Sequence, residues 1–221
     1  MRIDILTIFP EMFEPLKESI IQRAVNKKVV EINLVNIRDF SKDIHKKTDD
    51  EPYGGGAGMV MTPQPLYDAI LSVKKENSYI IYLSPRGRVF NQSIANEFLK
   101  FEHLILVCGH YEGIDQRIID MFVDEELSIG DYVLTGGELP AMVVCDAVVR
   151  LIDGAITKQS LQDESFSNGL LEYPQYTRPQ EVNGHCVPDI LISGHHANIQ
   201  KWRQEQSLQI TKKNRPDLLK K

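Results

Sequence analysis

Only three cysteines occur in 221 residues. Cys108, Cys145 and Cys186 stand far apart and form no CxxC pair, which argues against a zinc site and against a disulfide scaffold. Buried, inert thiols are the simplest expectation for all three. No apolar run reaches the roughly 20 residues needed to span a bilayer, and the start Met1-Arg2-Ile3-Asp4 lacks the pattern of a cleavable signal, so a soluble cytoplasmic protein with no membrane partner is expected. Several catalytic signatures are also missing. Gly54-Gly55-Gly56-Ala57-Gly58 lacks the Lys-Ser/Thr of a phosphate-binding loop and does not match GxGxxG. His110 and Glu112 do not have the HExxH spacing, and the tandem His195-His196 has no nearby ligand partner, so no metal site is expected. No GxSxG elbow occurs, which lowers the standing of covalent catalysis.

Positive charge is scarce overall, since the net charge is −6, and this argues against a generic nucleic-acid coat. The charge is unevenly spread. Residues 195–221 hold seven Lys or Arg against two acids, a local +5, which leaves −11 on the first 194 residues. Such a tail is either a solvated helix face or a phosphate-binding surface.

What the chain does have is a segment that can hold a ligand with its own backbone. Ser128-Ile129-Gly130-Asp131-Tyr132-Val133-Leu134-Thr135-Gly136-Gly137-Glu138-Leu139-Pro140 strings three glycines between an extended run and a helix start. Tyr132, Val133 and Leu134 favour a strand, and Pro140 suits the first turn of a helix. A second glycine-punctuated turn, Cys108-Gly109-His110-Tyr111-Glu112-Gly113, follows the apolar run 104–107. A third, Ser84-Pro85-Arg86-Gly87-Arg88, follows the expected strand 79–83.

Elsewhere strands are expected at 2–9 and 29–35, and helices at 11–28, 62–73 and 91–100, the last capped by Asn91. Residues 38–51 read as a long polar loop, of the kind that is usually functional or mobile. The alternation predicts an α/β domain with a mostly parallel sheet, and ligands then bind at the carboxyl ends of the strands, where all three turns lie. Residues 139–153 form a helix that is apolar almost all round, which must be buried on nearly every side, in part against another subunit. Its Asp146 and Arg150, four residues apart, make either an intrahelical ion pair or a fork presented to a ligand. Polar residues 157–169 are the linker candidate, and 170–221 look like a small, mainly helical domain. Asp163 and Glu164 in that linker are solvated acids by default.

These pieces together, with Ile8-Phe9-Pro10-Glu11-Met12-Phe13, Tyr53-Gly54-Gly55-Gly56-Ala57-Gly58-Met59 and Tyr176-Thr177-Arg178-Pro179, resemble the TrmD family of bacterial tRNA guanine-N1 methyltransferases, nearly end to end. The resemblance implies a SPOUT-type parallel sheet ending in a deep trefoil knot (residues 1–156, the S-adenosylmethionine-binding domain), a flexible linker (157–169) and a helical tRNA-binding domain (170–221), working as an obligate homodimer with active sites at the interface. It implies methyl transfer from S-adenosylmethionine to N1 of the guanine immediately 3′ of the anticodon, position 37. The cofactor residues it implies are Pro85 and Gly87; Gly109, Tyr111, Glu112 and Gly113; and Ile129, Gly130, Asp131, Tyr132, Val133, Leu134, Gly136, Gly137 and Pro140.

N1 of neutral guanine carries a proton, so the reaction needs a base and a partner for the charge that develops on O6. By resemblance Arg150 is the O6 partner. The base position reads Gln162-Asp163-Glu164-Ser165-Phe166, with Glu where the family has Asp; Glu164 is favoured and Asp163 is the alternative. Lys201, Arg203, Lys212, Lys213 and Arg215 are the implied phosphate contacts. The sequence leaves open whether a divalent ion such as Mg2+ assists at O6. Rival readings are another SPOUT RNA methyltransferase and a catalytically silent RNA-binding module.

Overall fold

Apolar residues alternate along the central strands, so each strand feeds two cores. Ile3 and Ile5, Ile81 and Leu83, and Leu104 and Leu106 point to one face of the sheet, while Leu6, Ile80, Tyr82, Ile105 and Val107 point to the other. The computed structural model describes residues 1–157 and 164–220. The chain divides into two units, Met1–Ile156 and Thr157–Lys221.

The first unit holds a five-stranded sheet made of β1 (Arg2–Thr7), β2 (Glu31–Asn36), β5 (Ser78–Val89), β6 (His103–Cys108) and β7 (Glu125–Ser128), in the order β2-β1-β6-β5-β7. Every pairing in it is parallel. Two short strands, β3 (Asp49–Asp50) and β4 (Val60–Met61), pair antiparallel beside it. One face packs on α1 (Ser19–Asn26), α3 (Gln92–Phe98) and α5 (Glu138–Val149); the other packs on α2 (Pro63–Val73) and α4 (Gln116–Phe122). A sheet buried on both faces is what near-continuous apolar strands require. α2 starts at Pro63 behind Thr62, and the Asn91 side-chain Oδ1 caps α3 by accepting the Ser93 and Ile94 N–H groups.

Four expectations are corrected. The helix over 11–28 is broken: a 3-10 segment Pro10–Lys17 gives way to α1 because Pro15 lacks an N–H and crowds the preceding turn, and Ser19 takes φ +52. The turn at 84–88 is instead part of β5. Pairing with β7 runs to Leu83↔Leu127, breaks, and resumes at Arg88↔Leu127, so the intervening residues bulge out and the strand continues. Residues 132–134 are not a strand, and Val133 is 85% exposed. The strand preceding them is β7, whose two glutamates hid it; as an edge strand paired only with β5 it tolerates that polarity. Finally α5 ends at Val149, with Arg150 as its C-cap, rather than at 153; its Leu139 and Val143 are exposed in the single chain. The helix α4, capped by Asp115, was not anticipated.

At the N-terminal edge of the sheet the buried carboxylate of Asp4 is fully satisfied. It meets Arg2 Nε at 2.9 Å, Asn33 Nδ2 at 3.0 Å and His103 Nε2 at 2.6 Å. Cys108 and Cys145 are buried free thiols, whereas Cys186 is exposed, against expectation, in a two-residue strand with little packing. Burial pushes the Cys145 thiol up to about 12. No helix among the described residues is long and apolar enough to cross a membrane.

The second unit contains the hairpin β8 (Glu181–Val182) and β9 (His185–Cys186), a single turn α6 (Asp189–Ile192), the 19-residue α7 (His196–Asn214) and a 3-10 turn Pro216–Leu219.

Candidate active site

Two glycine turns and the bulge of β5 meet at the carboxyl end of the sheet. After β6 the chain reverses within five residues: Gly113 N–H donates to the His110 carbonyl at 3.0 Å, Tyr111 takes φ +58 and Gly113 takes φ +128. The loop after β7 is held by Ser128, whose hydroxyl donates to Gly130 O at 3.0 Å and accepts Gly130 N–H at 3.2 Å. It then returns past the β6 turn, with Gly137 N–H donating to Gly109 O at 2.9 Å and an antiparallel bridge between His110 and Gly136. Glycine is required at this contact, because a Cβ on Gly137 would sit 2.7 Å from Cys108 Cα. The bulge of β5 supplies the last wall.

Together they enclose a cavity of about 310 Å3. Of the residues named from the sequence, Pro85, Gly109, Tyr111, Glu112, Gly113, Ile129, Gly130, Tyr132, Val133, Leu134, Gly136, Gly137 and Pro140 line it. Gly87 and Asp131 do not. Gly87 faces the backbone of Glu126 and Leu127, where any Cβ would collide, so its place is in closing the bulge onto β7. Asp131 is exposed outside the lining. The 53–61 segment is tied to the same turn: Glu112 N–H donates to Met59 O at 2.9 Å and Met61 N–H to Gly113 O at 2.9 Å.

Behind the cavity lies a buried polar cluster that sequence reasoning missed. Glu138, in the first turn of α5 and 1% exposed, accepts from Thr7 Oγ1 at 2.7 Å and pairs with His110 Nε2 at 2.7 Å. A carboxylate is favoured there by the helix N-terminus. Burial, and then the charge of Glu138, push the Cys108 thiol well above the usual thiol range. The available signal was Glu138 as the lone acid at the head of an apolar helix. Tyr82, also missed, sits under Gly109 with its hydroxyl 2.8 Å from where a Cβ would be.

Arg150 caps the far end of α5; its N–H donates to Asp146 O at 3.1 Å, its side chain is half-buried, and Asp146 is exposed. Asp163 lies outside the described residues. In the second unit, Glu164 borders a cleft of about 460 Å3 with Tyr173, Arg203 and Ser207. Lys201, Lys212, Lys213 and Arg215 are exposed along and just beyond α7, with Arg215 paired to Asp217 at 2.7 Å. Arg203 differs: it is half-buried with its guanidinium 4.7 Å from the Tyr173 ring centroid. Among the described residues, no group of three or more His, Cys, Asp or Glu side chains is placed to hold a metal ion.

Comparison with known proteins fits this geometry. The family model for tRNA (Guanine-1)-methyltransferase TrmD matches residues 1–221. Proteins named tRNA (guanine-N(1)-)-methyltransferase from Clostridium botulinum (strain 657 / Type Ba4) and from Ruminiclostridium cellulolyticum are each 59% identical, over 223 and 226 residues, covering 100% of this chain and 92% and 97% of theirs. One of the same name from Caldanaerobacter subterraneus subsp. tengcongensis is 59% identical over 224 residues, covering 100% of this chain and 92% of its own.

Proposed function

The chain belongs to the tRNA (guanine-1)-methyltransferase family, and on that premise we propose that it transfers a methyl group from S-adenosylmethionine to N1 of the guanine immediately 3′ of the tRNA anticodon. The observation that carries this reading is the cavity walled by two backbone turns and the bulge of β5 at the carboxyl ends of parallel strands, the place where such sheets take ligands. Its lining fits the donor. Glycine surfaces and the apolar side chains of Ile129, Val133 and Leu134 suit a flat adenine, main-chain groups suit its edges, and Glu112 offers a carboxylate to a cationic ligand. When bound there, S-adenosylmethionine supplies an electrophilic methyl group on a sulfonium sulfur.

The protein's own residues supply the rest. Glu164 takes the N1 proton of guanine, a role that depends on the carboxylate being held within hydrogen-bond reach of N1. Arg150 donates to O6 as charge develops there. The N1–CH3 bond forms as the S–CH3 bond breaks, and the proton rests on the carboxylate. α5 carries both a wall of the cavity and, roughly 18 Å further on at 1.5 Å per residue, Arg150, a spacing that fits active sites completed across a dimer interface.

In this reading the loop after β7 is the threaded segment of a deep trefoil knot, supported by its hydrogen bond back to Gly109. Exposed Leu139 and Val143 on α5, with exposed Met12 on the 3-10 segment that packs against that helix, form the face of an obligate homodimer whose active sites lie at the interface. Residues 157–169 link this domain to a tRNA-binding domain, 170–221. Lys201, Lys212, Lys213 and Arg215 present an exposed basic run for tRNA phosphates.

The test is labelled methyl transfer to unmodified tRNA and to the same tRNA with only that guanine replaced by adenine. Label in the first, recovered as 1-methylguanine, with none in the second, is the expected result. Label on a ribose, or retained after the replacement, would overturn the reading.

A further inference from the structure

Glu164 belongs to a turn that is fastened to α7 by a short chain of hydrogen bonds. Thr211, fully buried on α7, accepts the Leu171 N–H at 2.9 Å, while its hydroxyl donates to the Ser207 carbonyl at 2.7 Å. The second of these bonds is ordinary for a helical threonine. The first is not: it anchors an outside strand of chain to the helix. Residues 170–172 then hold the turn itself. Phe166 N–H donates to Leu170 O at 2.7 Å, and Glu172 N–H donates to Ser165 Oγ at 3.0 Å. The turn closes through Ser167 N–H to Glu164 O at 3.2 Å. Phe166 is held at φ +76, a conformation that persists for a non-glycine residue only when its surroundings fix it, and the Arg215 guanidinium lies 5.9 Å from its ring centroid.

We infer that Thr211 is a positioning residue for the catalytic base: the buried face of α7 fixes where Glu164 stands, while Lys201, Lys212 and Lys213 on the same helix are exposed. The helix that grips tRNA is thereby the helix that places the base, so docking of the substrate and alignment of the proton acceptor are one mechanical event. This inference rests on the reading of Glu164 as the base. Thr211 acts through two main-chain links and touches neither substrate nor cofactor.

Thr211→Val keeps the shape and removes the acceptor. Single-turnover methyl transfer at saturating S-adenosylmethionine and tRNA is expected to slow ten- to a hundredfold, with tRNA KM and cofactor affinity within twofold of the parent, and Thr211→Ser is expected to restore the rate to within threefold. Ser165→Ala, which loosens the turn away from the helix core, is expected to show the same pattern even where Thr211→Val folds poorly. In a Glu164→Gln background either substitution should cost nothing more, because it acts through the same group. Parental rates in Ser165→Ala and Thr211→Val, or a full multiplicative loss in the double variants, would overturn the inference. A Glu164→Gln enzyme with undiminished turnover would instead overturn the underlying assignment of the base, and that outcome is read from the single variant alone.

Discussion

Glu138 Oε2 and His110 Nε2 stand 2.7 Å apart behind the cavity, and the other Glu138 oxygen accepts from Thr7 Oγ1 at 2.7 Å. One carboxylate thus clamps the end of β1, the turn after β6 and the start of α5. Gly136 lies directly over the pair, where a Cβ would strike His110 Nε2 and come within 2.6 Å of Glu138 Oε2. The loop that walls the cavity is seated on this clamp.

Glu138→Ala is predicted to strand the buried Thr7 hydroxyl and the partly buried His110 ring nitrogen and to cost about 2–4 kcal/mol in urea unfolding. A weaker KM for S-adenosylmethionine should accompany it. A loss below about 0.5 kcal/mol would mean that the clamp does not fasten the loop.

Gly87→Ala should fail for a different reason. Its Cβ would run into the backbone of Glu126 and Leu127, which cannot swing aside as a side chain could. Calorimetric titration is expected to show cofactor affinity reduced at least tenfold. Gly55→Ala is the contrast: φ is +77 but nothing lies within 4 Å, so only the local strain of about 1–2 kcal/mol applies and cofactor affinity should hold.

The cap of α4 carries a pH signature. The Arg117 side chain, followed by its backbone N–H, holds the Asp115 carboxyl below the usual carboxylate value. A lowered folded pKa means the stabilisation is complete above the unfolded value of about 3.9 and is lost as pH falls through the lowered one. Asp115→Asn keeps the cap oxygen and removes the charge, so its unfolding free energy at pH 7 should lie slightly below the parent's, by under about 1 kcal/mol at this partly exposed site. The gap should close as pH falls below the unfolded value, and a gap that widened in acid would contradict the assignment.

tRNA binding should separate the basic residues of α7 into two kinds. Replacing Lys212 or Lys213 with alanine is predicted to lower the slope of log affinity against log salt by about 1 each. Arg203→Ala should leave that slope unchanged, because its guanidinium is packed over Tyr173 rather than held out to solvent.

Much of this was legible in the sequence, and the failures have physical causes. Short, near-continuous apolar runs marked β1, β5 and β6, and Asn91 marked α3 by its cap chemistry. The glycine turns pointed to the cavity because only backbone contacts demand glycine so often. β7 escaped because an edge strand needs no apolar pattern, and the apolar Tyr132, Val133 and Leu134 drew the expectation instead, although they line the cavity as an irregular loop. Spacing could not reveal that Pro15 breaks a helix-like pattern into two pieces, nor that β5 resumes after its bulge. The Glu138 clamp joins residues 131 and 28 positions apart, and no local pattern records such a contact. Arg203 looked like one more surface cation because charge counting is blind to the tyrosine ring beneath it.

The most direct measurement of the catalytic account is the single-turnover rate of Glu164→Gln at saturating tRNA and S-adenosylmethionine, with cofactor affinity measured alongside. A loss of about 10²- to 10⁴-fold in rate with unchanged cofactor affinity is the predicted result. Turnover close to that of the parent would contradict the account and move the role of base to Asp163.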